Sequence, residues 1–226
     1  MGDHPHGLVK PLLIRLLGGL VIIAALLFIP AGTLWYWQGW LYLGVLFIPM
    51  FFVLVYLVRH DPDLLVRRMR LREKEAEQKR IITLSSGIFL ACIILPGLDF
   101  RFGWSQVPVW LVLAADIMVF AGYLIFFLTM RENSYASRII EVENGQMVIS
   151  TGPYAQVRHP MYSGVLLMFL FTPLALGSYV ALIMFPPLLV TIVMRIKNEE
   201  AVLTRDLKGY AEYCKKTRYR LVPGVW

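Results

Sequence analysis

Apolar residues in this chain fall in long blocks rather than in the short alternations of a soluble fold. Stretches 12–34, 40–58, 81–95 and 107–130 are almost wholly apolar. Runs of roughly 17–25 such residues are long enough to cross a bilayer as helices. The third stretch is short and is expected to end at Pro96-Gly97. A fifth, 161–194, is too long for one span. Gly177-Ser178 is its most polar point, and Pro173 and Pro186-Pro187 interrupt it, so two helices turning near 176–179 are expected. The pattern predicts an all-α integral membrane protein of about six transmembrane helices, followed by a C-terminal cytosolic amphipathic segment. If 161–194 is one long tilted helix, the count falls to five. Two units are expected: N-terminal helices over 1–106 with a basic loop at 59–80, and a second membrane unit over 107–226.

Charge supports the larger count. The chain carries 22 lysines and arginines against 15 acidic residues, a formal +7. With six crossings, every lysine and arginine except Arg101 falls on one side. Cationic residues favour the cytosolic face, so both termini are expected there. This distribution accounts for the net charge without nucleic acid as a partner. Trp35, Trp37, Trp40, Trp104 and Trp110 gather at the opposite boundary, as an interfacial aromatic belt does. In the basic loop, Arg67, Arg68, Arg70 and Arg72 alternate with Glu73, Glu75 and Glu77, which predicts a surface helix drawn to anionic membrane lipids. Lys10 and Arg15 precede the first apolar run as in a signal peptide. That run lacks a small-residue cleavage site, and it is expected to be retained.

Composition also narrows the chemistry. Cys92 and Cys214 are too few for a disulfide framework, and His4, His6, His60 and His159 show no metal-ligand spacing, so no metal is expected. Asp116 is the one carboxylate inside a predicted span. It must pair, take up a proton or face a cavity.

The remaining polar signals lie near the two ends of the last predicted hairpin. Thr151-Gly152-Pro153-Tyr154 reads as a turn leading into Val157-Arg158-His159-Pro160-Met161-Tyr162. Pro160 suits a first helical turn, whose free N–H groups favour an anionic group. After the last apolar run come Arg195, Glu199 and Glu200. A hairpin brings these blocks together, so His159 and Tyr162 are expected to face Arg195 and Glu200 across a small polar pocket. A cation, two carboxylates and an imidazole beside apolar walls suit a zwitterionic, cationic cofactor with an aromatic base.

These blocks carry a family resemblance. Gly152-Pro153-Tyr154 with Arg158-His159-Pro160-Met161-Tyr162 resembles the RHPxY region of isoprenylcysteine carboxyl methyltransferases and phospholipid methyltransferases. Arg195 followed by Glu199-Glu200 resembles their Arg and paired Glu. Gly209-Tyr210, Tyr213 and Arg218-Tyr219-Arg220-Leu221-Val222-Pro223-Gly224 resemble their C-terminal tail. Asp61-Pro62-Asp63-Leu64-Leu65 resembles a segment that precedes the domain in bacterial-type members. The similarity runs from about Asp116 to Trp226. No Rossmann GxGxxG is present, so a soluble-type methyltransferase domain is not indicated.

The resemblance implies an S-adenosylmethionine-dependent methyltransferase with a lipidic or prenylated acceptor. It implies that Gly152, Tyr154, His159, Pro160 and Tyr162 enclose the cofactor and that Glu199 and Glu200 hold its amino or ribose groups. It further implies a cover from the tail, including Leu221 and Pro223, with Arg195 and Glu200 closest to the acceptor. Two other readings stay open. Sterol reductases, which use a nicotinamide cofactor, share a similar RHPxY segment and a Tyr-Arg-x-x-Pro tail. A non-catalytic membrane protein that keeps the fold is the third.

Overall fold

The computed structural model describes residues 6–69, 76–136, 142–143 and 145–226. Among them, helices alternate with short connections: α1 His6–Ala31, α2 Trp37–His60, α3 Pro62–Met69, α4 Ala76–Phe102, α5 Val109–Glu132, α6 Pro160–Ala175, α7 Phe185–Asp206 and α8 Tyr210–Lys216. Single 3-10 turns at Gly152–Ala155 and Val180–Met184 precede α6 and α7. Five helices are long and apolar enough to cross a membrane, while α6, with 16 residues, is a shorter apolar helix. Arg70, Arg72, Glu73 and Glu75 of the basic loop lie outside the described residues; Arg67 and Arg68 lie on α3.

One expectation is corrected. Pro96-Gly97 does not end the third apolar helix, because α4 continues through both to Phe102. A proline inside a buried helix is tolerated where neighbouring helices cover the backbone it disturbs. Gly97 supplies that contact, since a Cβ there would lie 2.6 Å from the Leu27 carbonyl oxygen of α1. Pro186 and Pro187 likewise interrupt nothing; they occupy the first turn of α7, where a missing N–H costs no hydrogen bond. The turn expected near 176–179 does separate α6 from α7.

One of the apolar core clusters draws on both halves of the chain. Leu27 and Phe28 of α1, Tyr42 and Leu43 of α2, Ile93 of α4, Ala115 and Val119 of α5, and Ala175 of α6 all belong to it. An equally close approach joins α5 and α6. A Cβ on Gly122 would meet the Gly164 carbonyl oxygen at 2.7 Å, and one on Gly164 would meet that of Gly122 at 2.6 Å. Small residues at such crossings let two apolar helices pack backbone to backbone.

Asp99, 1% exposed, closes one end of the bundle. It accepts from the Ser105 backbone N–H at 2.7 Å and from the hydroxyls of Ser105 and Ser178. Ser105 and Ser178 then accept from the backbone of Tyr179 and Ala181. The Tyr36 hydroxyl donates to the Leu176 carbonyl, so the α1–α2 connection, the end of α4 and the α6–α7 turn meet at one level. Asp116, buried on α5, has no hydrogen-bond partner on either oxygen among the described residues.

Two substitutions test this packing. Gly164→Leu forces α5 and α6 apart and should lower the thermal midpoint in detergent sharply. Asp99→Ala strands several buried donors, costing on the order of 3 kcal/mol, while Asp99→Asn should recover part of the loss because its amide oxygen still accepts.

Candidate active site

The end of α5 sets the floor of the site. Glu132 accepts from the Thr151 hydroxyl and lies against Gly152, where a Cβ would come within 2.8 Å of the carboxyl carbon. Gly152 also has φ +55°, a conformation that favours glycine. The next residue of α5's end, Asn133, donates to the Tyr154 hydroxyl at 2.9 Å. On the other side, the Tyr154 carbonyl accepts from the Tyr213 hydroxyl at 2.7 Å, which docks α8 onto the same turn.

The chain after α8 returns along the start of α6. Arg158 and His159 N–H groups donate to the Tyr219 and Arg220 carbonyls, both at 2.9 Å, and the Ser163 hydroxyl donates to the Leu221 carbonyl at 2.6 Å. Donors that a helix start leaves unpaired are thereby satisfied by the tail.

The adjacent glutamates of α7 have different partners, because successive side chains on a helix diverge by about 100°. Arg195 Nε donates to the Tyr162 hydroxyl at 2.8 Å, and that hydroxyl donates to Glu199 Oε2 at 2.7 Å. Glu200 instead accepts from Arg220 Nε at 2.8 Å and from His159 Nε2 at 3.2 Å. A carboxylate only accepts, so His159 carries its proton on Nε2 in this contact. Arg158 Nε also lies 3.2 Å from Glu200 Oε1, close enough for an ion pair but without the alignment of a hydrogen bond.

A cavity of about 120 Å³ opens beside these groups. Its walls come from Asn133 and Tyr135, from Met147 and Val148 of the following connection, from Tyr154, Arg158, His159, Pro160 and Tyr162, and from Arg195, Glu199, Tyr210 and Tyr213. Burial raises the Tyr154, Tyr210 and Tyr213 hydroxyls above the ordinary phenol range, Tyr213 to about 12, so all three are protonated near neutrality. Two buried polar atoms on the wall lack a hydrogen-bond partner among the described residues, the Tyr210 hydroxyl and Arg158 Nε.

Six of the residues singled out in the sequence line this cavity: Tyr154, His159, Pro160, Tyr162, Arg195 and Glu199. Four do not. Gly152 sits behind it against Glu132, and Glu200 turns toward Arg220. Leu221 is buried in an apolar cluster with Leu188, Ile192 and Ile196, and Pro223 is exposed in the tail. The cavity also uses Asn133, Tyr135, Met147 and Tyr210, which sequence reasoning had not assigned to the site. The spacing of Tyr210 and Tyr213, three apart on one helical face, was the signal available for Tyr210.

Most of these residues fall in a stretch whose sequence matches a known family. Residues 111–205 match the isoprenylcysteine carboxyl methyltransferase (ICMT) family. The ICMT match covers α5, α6 and nearly all of α7, and so includes His159, Tyr162, Arg195 and both glutamates. The Delta(14)-sterol reductase TM7SF2 of Mus musculus is 32% identical over 92 residues, which cover 38% of this chain and 22% of that protein. The chain thus spans about a fifth of the length of the curated relative it matches.

Glu200 and Glu199 should separate in experiment. Glu200→Gln weakens charge-assisted bonds to Arg220 and His159, and is expected to cost about 2 kcal/mol and to speed proteolysis of the tail. Glu199→Gln should leave both nearly unchanged. Thermal unfolding in detergent with timed proteolysis reads the difference.

Proposed function

We propose that this chain is an S-adenosylmethionine-dependent methyltransferase of a membrane, acting on a lipidic acceptor through a carboxylate such as that of an isoprenylcysteine. In this reading α6 and α7 form the last two of six crossings, and the cavity and both termini face the cytosol. The level at which the α6–α7 turn meets Tyr36 and Asp99 supports six crossings. The grouping of cationic residues supports the orientation.

The observation that carries the proposal is the cavity wall itself. It combines the Glu199 carboxylate, the Arg195–Tyr162–Glu199 chain, the Arg158 guanidinium and a Tyr210 hydroxyl without a hydrogen-bond partner among the described residues, within an apolar surround. These match the cofactor's groups in kind: a carboxylate for its ammonium, a guanidinium and a hydroxyl for its carboxylate and ribose, and tyrosine faces for its base. At about 120 Å³ the space is smaller than the roughly 300–1,000 Å³ of most small-molecule pockets. Met147, on its wall, is 70% exposed.

When bound, the cofactor supplies a methyl group on a sulfonium. An acceptor carboxylate is ionised near neutral pH, so the protein needs neither a strong base nor a metal. Its work is alignment and the exclusion of water. Arg195, held by Tyr162, is placed to orient the acceptor carboxylate. Glu200 acts through others, keeping His159 and the Arg220 tail in register behind the cavity.

The similarity to a Delta(14)-sterol reductase supports a second reading, a nicotinamide-dependent reductase. Thermal unfolding with S-adenosylhomocysteine and with NADPH separates the two. A rise with the former alone is expected, and a rise with NADPH alone overturns the proposal. Tyr210→Phe should weaken S-adenosylhomocysteine roughly three- to tenfold while leaving the unliganded protein as stable as before, because the hydroxyl it removes has no hydrogen-bond partner among the described residues.

A further inference from the structure

The tail after α8 packs inside the boundary that charged residues mark on α4 and α7. Exposed Lys79 and Arg80 stand where the apolar part of α4 begins, and exposed Lys197 stands past the apolar part of α7. Leu221 of the tail clusters with Leu188, Ile192 and Ile196 of α7, and Ile88 of α4 and Trp226 pack against the same cluster. Ile192 lies about 7 Å along α7 from Lys197, and Ile88 about 12 Å along α4 from Arg80. The tail therefore enters the apolar layer from its charged side. Between Leu221 and Trp226, Val222 is 50% and Val225 79% exposed. Just before them Lys215, Lys216 and Arg218 are exposed and form no ion pair among the described residues. Glu212 is the one acidic residue after Asp206.

The same segment is bonded to the wall of the polar cavity. The Tyr219 and Arg220 carbonyls accept from the N–H groups of Arg158 and His159, which line that cavity. Arg220 Nε donates to Glu200, and its guanidinium lies over the Trp226 ring, 5.1 Å from the centroid. One residue thus joins the apolar end of the tail to the cavity wall.

We propose that residues 215–226 form a binding surface for anionic phospholipid: Val222 and Val225 sit among acyl chains, Lys215, Lys216 and Arg218 hold phosphate groups, and this contact tightens binding in the polar cavity through Tyr219 and Arg220. Apolar side chains carry the insertion, while each cation near a membrane surface adds about fivefold in affinity for an anionic leaflet. An acidic protein would pair the lysines but leave Val222 and Val225 in water, so lipid fits both halves of the surface. The coupling rests on the methyltransferase reading above; the lipid surface does not.

Two measurements on the full chain in nanodiscs test this. In the first, a bimane is attached to Cys214→Ser/Val225→Cys, a position open enough to carry it, while Cys92 is buried. Brominated phosphatidylglycerol is expected to quench it about twofold more than brominated phosphatidylcholine at the same mole fraction, and adding Lys215→Gln/Lys216→Gln should make the two equal. No quenching by either lipid places the tail in water, open to an acidic protein, and overturns the surface. Equal quenching before the lysines are changed, or a preference that survives their change, overturns the head-group assignment. In the second, S-adenosylhomocysteine should bind the unlabelled protein about fivefold more tightly in two parts phosphatidylcholine to one part phosphatidylglycerol than in phosphatidylcholine alone. Lys215→Gln/Lys216→Gln should bind as wild type does in phosphatidylcholine and gain nothing from the mixture. Equal affinity of wild type in both membranes, or an undiminished gain in the variant, overturns the coupling. Failure of S-adenosylhomocysteine to bind in either membrane overturns the methyltransferase reading instead, and the quenching result stands apart from it.

Discussion

At the crossing of α5 and α6, each of two glycines occupies a place where a single methyl group would collide with the other helix. A Cβ on Gly164 would stand 2.6 Å from the Gly122 carbonyl oxygen. Lipid tails are as apolar as leucine, so burial from water does not drive such a pair together, and close van der Waals contact must do so. The polar end of the bundle depends on this contact. It brings the last turn of α5, with Glu132 and Asn133, beside the 3-10 turn and the start of α6. Without it, Tyr154 and His159 would have no fixed relation to each other.

Polar groups secure the two ends of the bundle in different ways. At one end Asp99 gathers hydroxyl and amide donors from two connections, a closed network that leaves little capacity to spare. At the other, Glu200 is similarly engaged, but its neighbour Glu199 is reached through a hydroxyl and keeps one edge on the cavity. A rotation of about 100° between adjacent helical positions thus assigns one glutamate to support and the other to the cavity. The Tyr210 hydroxyl, without a hydrogen-bond partner among the described residues, fits the same division, since buried donors normally find partners within the protein.

A second, largely apolar cavity of about 430 Å³ lies among α1, α2, α3, α5 and α6, and Arg68, Ala136 and Met161 form a thin wall between it and the polar one. One is polar and lined largely by residues within or close to the family-matched region; the other is apolar and borrows α1, α2 and α3. The cationic α3 also reaches past that wall, because Arg67 bonds Glu143 at 2.9 Å and the carbonyl of Ser134, which lies between Asn133 and Tyr135 of the polar cavity.

The chain's hydropathy by itself determined the helical fold with its long apolar spans and the break between α6 and α7. Transfer of apolar surface to lipid is a property of each segment alone, so it can be read locally. The motifs also located Tyr154, His159, Tyr162, Arg195 and Glu199 without coordinates. Tertiary structure decided what depends on neighbours. Pro96 and Gly97 read as a helix end until α1 is packed against them. Glu199 and Glu200 read alike until Arg220 returns along α6 to claim one of them. Gly152, Leu221 and Pro223 belong to the same motifs as the cavity residues, yet they lie off its walls, because adjacency in a motif fixes distance along the chain and not direction in space. The second cavity has no sequence signature, since it exists only where five separate helices leave a space between them.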